Sequence, residues 1–278
     1  MSDSLPIVSL VVEYDGTQYV GWQLQPNGPS IQGEIERALA ELCGKPIRVT
    51  ASGRTDSGVH ALGQVVSFEP GVERPERAYQ HGLNRLLPAD IAVREVRFHP
   101  LGFNARRSAR GKIYRYQIQN VPTRSPLTSR YSWQVYQPLD VDVMREAART
   151  LLGTHDFNAF RASNCEAKTT VRTLRRLDVT GQSGGTITIE AEATAFLKHM
   201  VRNFVGTLVE VGLGKRKVSS VAEALASKDR KQAGATAPPQ GLCLMKVHYP
   251  EANASAGAGV AREKSAESDA DDDADSDD

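Results

Sequence analysis

In the first hundred residues, β-prone runs and helical periodicity follow one another in the order β-α-β-β-α-β, an order that few folds satisfy. Residues 7–14 form an apolar run rich in β-branched side chains, ending at the turn-forming pair Asp15-Gly16. Over residues 30–43, Ile31, Ile35, Leu39 and Leu42 recur at spacings of three and four, and Gly44 follows as a stop. Residues 47–50 and 64–68 read as two strands, one on either side of a glycine-bounded loop. Residues 75–87 read as a second helix with proline in its first turn. Residues 91–98 alternate apolar and polar side chains as a strand does. The pattern predicts a split βαβ, ferredoxin-like half.

A linker follows at about residues 100–110. Beyond it, residues 112–119 and 130–136 are strand-like and residues 140–152 are helical. Residues 170–180 and 186–196 read as a hairpin around Gly181-Gln182-Ser183-Gly184-Gly185. Helices over 198–212 and 219–226 and a strand over 242–249 complete a second α+β half. The expected organisation is therefore an α+β fold of two RNA-recognition-like halves, residues 1–104 and 105–250, facing each other across a cleft.

Charge separates the rest of the chain from these halves. From Glu251 onward, ten acidic residues stand against Arg262 and Lys264, so a chain of formal charge +1 has a body of +9 and a tail of −8. The tail, rich in Ala, Ser, Asp and Gly, has too little apolar surface to order itself, and residues 251–278 are expected to be disordered. A basic body suits a polyanion such as RNA. No run approaches the length of a transmembrane helix and no basic-then-apolar leader opens the chain, which predicts a soluble, cytoplasmic protein without membrane partners. Cys43, Cys165 and Cys243 are odd in number and widely spaced, and the six histidines show no ligand spacing. Neither a disulfide framework nor a metal site is expected, and the cysteines read as small buried hydrophobes.

The chemistry concentrates in Ala51-Ser52-Gly53-Arg54-Thr55-Asp56-Ser57-Gly58-Val59-His60-Ala61. A strand-loop-strand reading puts Asp56 at a loop apex between two rigid arms, where a reactive side chain can be held in place. Gly53 and Gly58 permit sharp turns or a close approach by a ligand. Arg54, two residues away, points to the same side in an extended arm. Taken alone, the stretch also fits an ordinary Asp-Ser-Gly hairpin with an Arg-Asp ion pair.

Seven ordered blocks give the loop its context. Gly53-Arg54-Thr55-Asp56-Ser57-Gly58-Val59-His60-Ala61 resembles the active-site motif of the tRNA pseudouridine synthase A family, whose usual form has Ala where this chain has Ser57. Glu13-Tyr14-Asp15-Gly16-Thr17, Gly21-Trp22-Gln23 and Ser30-Ile31-Gln32-Gly33 resemble the family's opening block. Gly111-Lys112-Ile113-Tyr114-Arg115-Tyr116 resembles its tyrosine motif. Gly153-Thr154-His155-Asp156-Phe157, Phe196-Leu197-Lys198-His199-Met200-Val201-Arg202-Asn203 and Thr236-Ala237-Pro238-Pro239-Gln240-Gly241-Leu242 resemble later blocks.

The resemblance implies an isomerase that converts uridines 38, 39 and 40 of the tRNA anticodon stem-loop to pseudouridine, acting as a homodimer without cofactor or metal. It implies Asp56 as nucleophile, Arg202 as its basic partner, and Tyr114 stacked against the target base. Arg54 is expected to bind phosphate or to help extrude that base. Tyr116 reads as core and His60 as structural, while Ser57 is expected to hydrogen-bond Asp56. The rival reading is a non-catalytic tRNA-binding protein. A nucleotide site at Gly212-Leu213-Gly214-Lys215 is excluded, because the first P-loop glycine is missing and Arg216 stands where Ser or Thr is needed.

Overall fold

In β1 (Ile7–Tyr14), Val8, Leu10, Val12 and Tyr14 are buried on one face, as the two-residue period of a strand requires. The computed structural model describes residues 5–250; the expected disorder of 251–278 lies outside the described residues. α1 (Ile31–Cys43) starts where the Ser30 hydroxyl accepts from the Gly33 amide, a cap worth about 1 kcal/mol, and stops at Gly44 with φ 71°. β2 (Thr50–Ala51), β3 (His60–Phe68), α2 (Glu76–Leu86) and β4 (Ile91–His99) complete the half, with strands in the order β4-β1-β3-β2. The expected βαββαβ unit is therefore present.

Its first loop arm differs from expectation. Only Thr50 and Ala51 pair with β3, opposite Ser67 and Val66. Ile47 and Val49 are instead buried core anchors outside any strand, and the Val49 amide donates to the Glu36 carboxylate. β-propensity registers their burial rather than their pairing. Pro75 sits one residue ahead of α2 as its cap.

The second half contains β5 (Gly111–Gln119), β6 (Trp133–Gln134), α3 (Val141–Arg149), β7 (Gly153–Asp156), β8 (Val171–Thr180), β9 (Thr186–Ala193), α4 (Met200–Gly212), α5 (Ser219–Ser227) and β10 (Leu242–His248). The strand expected over 130–136 shrinks to β6. β7 has no counterpart in the sequence pattern, because a four-residue edge strand with one paired neighbour needs no apolar run.

One sheet runs through both halves in the order β4-β1-β3-β10-β5-β9-β8-β7. β10 joins them: it is antiparallel to β5 and parallel to β3, the latter through Cys243 opposite His60 and Leu244 opposite Ala61. Cross-strand partners share a face, so the register can be followed across the joint. Tyr14, Ala61, Leu244, Tyr114, Ala191 and Leu177 lie successively opposite one another, and all six are buried. The packed faces of the two halves are thus one continuous face, with Tyr14 and Tyr114 in the same row.

Helix α4 is buried on almost every side, and its few polar side chains, Arg202, Asn203, Thr207 and Glu210, are each hydrogen-bonded. Its Gly206 packs against the segment that leads to β10: a Cβ there would fall 1.7 Å from the Ala235 carbonyl oxygen. Backbone cannot retreat as a flexible side chain can. Gly206→Ala should cost on the order of 3 kcal/mol, read as a lowered urea midpoint, and an unchanged midpoint would show that the segment yields freely.

Candidate active site

The loop between β2 and β3 is tied down from three sides. Tyr14 and Thr55 share a hydroxyl-hydroxyl hydrogen bond of 2.8 Å, and the Trp22 amide donates to the Thr55 carbonyl at 3.0 Å. Gly21, at φ 114°, allows that approach, since a Cβ would lie 2.9 Å from the Thr55 oxygen and 3.1 Å from the Ser57 nitrogen. The Gln64 amide donates to the Gly53 carbonyl and the Lys112 ammonium to the Ser52 carbonyl, both at 2.8 Å. Burial, helped by Arg106, lowers the pKa of the Lys112 ammonium to about 8. Gly58 supplies the positive φ of the turn, at 76°. The Ser57 hydroxyl donates to the Tyr19 carbonyl at 3.0 Å, not to Asp56. The side chain expected to adjust the carboxylate instead fastens the loop.

With Thr55 turned inward, Asp56 stands half-buried beside the first turn of α4. Arg202 Nη1 donates to Asp56 Oδ2 at 3.0 Å, and its Nε donates to the Ala237 carbonyl at 2.8 Å. The guanidinium side chain is 13 % exposed and the carboxylate 26 %. One arginine thus links the loop of the first half to the helix and the pre-β10 segment of the second. The neighbouring Asn203 is fixed in turn: its Nδ2 donates to the Phe160 carbonyl, and its Oδ1 accepts from Thr236 and Arg230.

Tyr114 is buried next to this pair, with its ring edge-to-face on Phe196 at 5.1 Å between centroids. Burial first, then the nearby Tyr14 and Asp56, push its phenol far above the ordinary tyrosine value. Tyr116 is fully buried, donating to the Pro238 carbonyl at 2.7 Å, as its core reading requires. His60 is buried in β3, where Nε2 donates to the Arg130 carbonyl and Nδ1 accepts from the Gly16 amide. Both ring nitrogens are thus held by backbone groups, as the structural reading of His60 requires. Arg54 is exposed at the rim of the loop, and among the described residues it makes no ion pair with Asp56. The ordinary hairpin with an Arg-Asp pair is therefore not what forms.

One residue at the site is not marked by any motif role. His199 precedes α4 with φ 63° and places Nε2 3.4 Å from Asp56 Oδ2. The signal that could have found it is its spacing, three residues before Arg202 at the start of a helix, which puts both side chains on one side. Burial lowers its pKa; Asp56 opposes that shift, while Arg202, Lys198 and Arg230 reinforce it.

Among the described residues, no group of three or more His, Cys, Asp or Glu side chains is arranged to hold a metal ion. No helix among them is long and apolar enough to cross a membrane. Cys43 is buried, and Cys165 and Cys243 are partly so, all as free thiols.

A family model described as tRNA pseudouridine synthase matches residues 10–106 and 147–250. A protein of Myxococcus xanthus named tRNA pseudouridine synthase A is 53% identical, over 93% of this chain and 99% of its own. One of the same name from Syntrophotalea carbinolica is 52% identical, over 88% of this chain and 97% of its own. Among solved structures, a chain of a Cbf5-Nop10-Gar1 complex aligns over 86% of this chain and 57% of its own, at 12% identity and a TM-score of 0.34, too loosely to carry an argument.

Proposed function

Because the chain belongs to the tRNA pseudouridine synthase family, we propose that it isomerises uridines 38, 39 and 40 of the tRNA anticodon stem-loop, with Asp56 as nucleophile. The observation that carries this reading is the Asp56–Arg202 pair, in which a carboxylate from one half meets a guanidinium from the other beside Tyr114. The expected halves, 1–104 and 105–250, then supply the two walls of the cleft.

Pseudouridine formation breaks the bond between C1′ of the ribose and N1 of the base, turns the uracil and rejoins it through C5. The target base must leave its stack first. Arg54, exposed at the rim, suits a phosphate contact or the space that the base vacates. Asp56 attacks as the carboxylate, with the Arg202 guanidinium holding its Oδ2 at 3.0 Å. The ring of Tyr114, fixed by Phe196, gives the detached uracil a surface to stack on while it turns. No redox step enters this sequence. The basic body of the chain suits tRNA, and the family implies a homodimer.

The direct test is release of tritium from tRNA labelled at uridine C5, with purified protein and no added cofactor or metal. Release supports the synthase reading; binding without release favours a tRNA-binding protein. The role of Tyr114 is read in the same assay. A phenol held protonated by burial makes a poor base, so Tyr114→Phe should bind tRNA normally and keep turnover within about tenfold. A larger loss at unchanged affinity would assign the hydroxyl to the chemistry.

A further inference from the structure

We propose that His199 is the base that removes the proton from uracil C5, a step that rests on the synthase reading given above. That reading leaves the proton acceptor unassigned, and Tyr114 is ill suited to it, with its phenol held protonated by burial. The uracil carbon that bonds to C1′ must come within a few ångströms of the atom that Asp56 attacks. His199, 3.4 Å from the Asp56 carboxylate, borders the same pocket in which the C5 hydrogen is lost.

Three features of His199 fit that task. Its side chain is 29 % exposed, neither shut in the core nor free in solvent, and its ring makes no hydrogen bond among the described residues. Its backbone is left-handed, at φ 63° and ψ 1°, a conformation that only Lys228 shares among the described non-glycine residues. Such a conformation is uncommon outside glycine, and here it turns the ring toward Asp56. The charges around the ring also match the step. Burial, with Arg202, Lys198 and Arg230, favours the neutral imidazole, and Asp56 from the facing loop opposes them.

The bond changes balance without another reactant. Once N1–C1′ has broken and C5–C1′ has formed, C5 carries both the ribose and a hydrogen. His199 Nε2 takes that proton; the electrons of the C5–H bond restore C5=C6, and the N1=C6 pair moves onto N1. N1 then accepts a proton, and the imidazolium can return the one it took. Asp56 governs the timing. While bonded to the sugar it carries no charge, and His199 faces only cations. When C5 displaces it, the carboxylate charge returns 3.4 Å away and strengthens the base at the step that needs one.

The test uses full-length protein carrying His199→Asn, which tolerates the left-handed backbone, and His199→Gln, which keeps side-chain length. Single-turnover rates are measured from pH 5 to 8 on tRNA bearing hydrogen or deuterium at uridine C5. Both variants should bind tRNA normally, lose about 10²-fold in rate, show a larger C5 isotope effect than the native protein, and lack its decline toward acid pH. Variants that keep the native isotope effect and acid decline overturn the proposal, whatever their rate, because a merely structural histidine would leave the C5 step unchanged. Failure of the native protein itself to release the label would count against the synthase reading, a separate result.

Discussion

Asp56→Asn should abolish tritium release from C5-labelled tRNA, at least about 10³-fold below the native rate, while tRNA affinity stays within a few-fold. The amide has the shape of the carboxylate and still offers Arg202 an acceptor oxygen at the 3.0 Å contact. The loop itself is held by Tyr14, Trp22, Tyr19, Gln64 and Lys112, none of which bonds to the Asp56 side chain. Geometry and folding should therefore survive, and only the charge that the proposed attack requires is lost. Removing one negative charge from a site that receives a polyanion should, if anything, tighten binding. A variant with near-native turnover would remove Asp56 from the chemistry and leave the tethered shape of the loop without a function in this step.

Arg202→Met is the second large effect, expected at about 10²-fold in single-turnover rate with a smaller change in tRNA affinity. Methionine keeps most of the packing volume but leaves the Asp56 carboxylate without its main cation. It also leaves the Ala237 carbonyl without its donor. The accompanying loss of stability should be about 1–2 kcal/mol, below that of a fully buried pair because the carboxylate remains 26 % exposed. Arg202→Lys should fall between, since one ammonium cannot reach both acceptors with the geometry of a planar fork. A urea midpoint separates the two losses. Native turnover in a folded Met variant would sink the assignment of Arg202 as partner.

Much of this arrangement is legible in the amino-acid sequence. β1, α1 and α2 each bury one face at a regular period, which can be read directly from Val8, Leu10 and Val12 or from Ile31, Ile35 and Leu39, whereas β4 buries Ile91, Val93 and Val96 across a bulge. Ile47 and Val49 mislead, because burial without pairing selects the same residue types as a strand does. β7 is hidden for the opposite reason, being polar and paired. At the site, the loop pattern and two-residue spacing single out Asp56 and Arg54, but Arg202 and Tyr114 rest on motif resemblance, since 146 residues separate the two partners of the central ion pair. The bonds that hold the loop, from Tyr14, Trp22 and Lys112, depend on tertiary contacts that no local pattern records. Ser57 shows the limit of proximity along the chain: its neighbour is Asp56, but its partner is Tyr19.

The strand that unites the halves, β10, follows every other element in the described chain, and it meets β3 through only two residue pairs. Chains are synthesised from the N-terminus, and early segments can fold before later ones emerge. The half that bears Asp56 can thus acquire its own sheet while the ribosome is still adding residues of the other. Its alignment with Arg202 must await residues 242–248. A chain lacking that strand would carry Asp56 on a sheet not joined to the one behind Arg202, so the pairing of the two side chains depends on the last strand described.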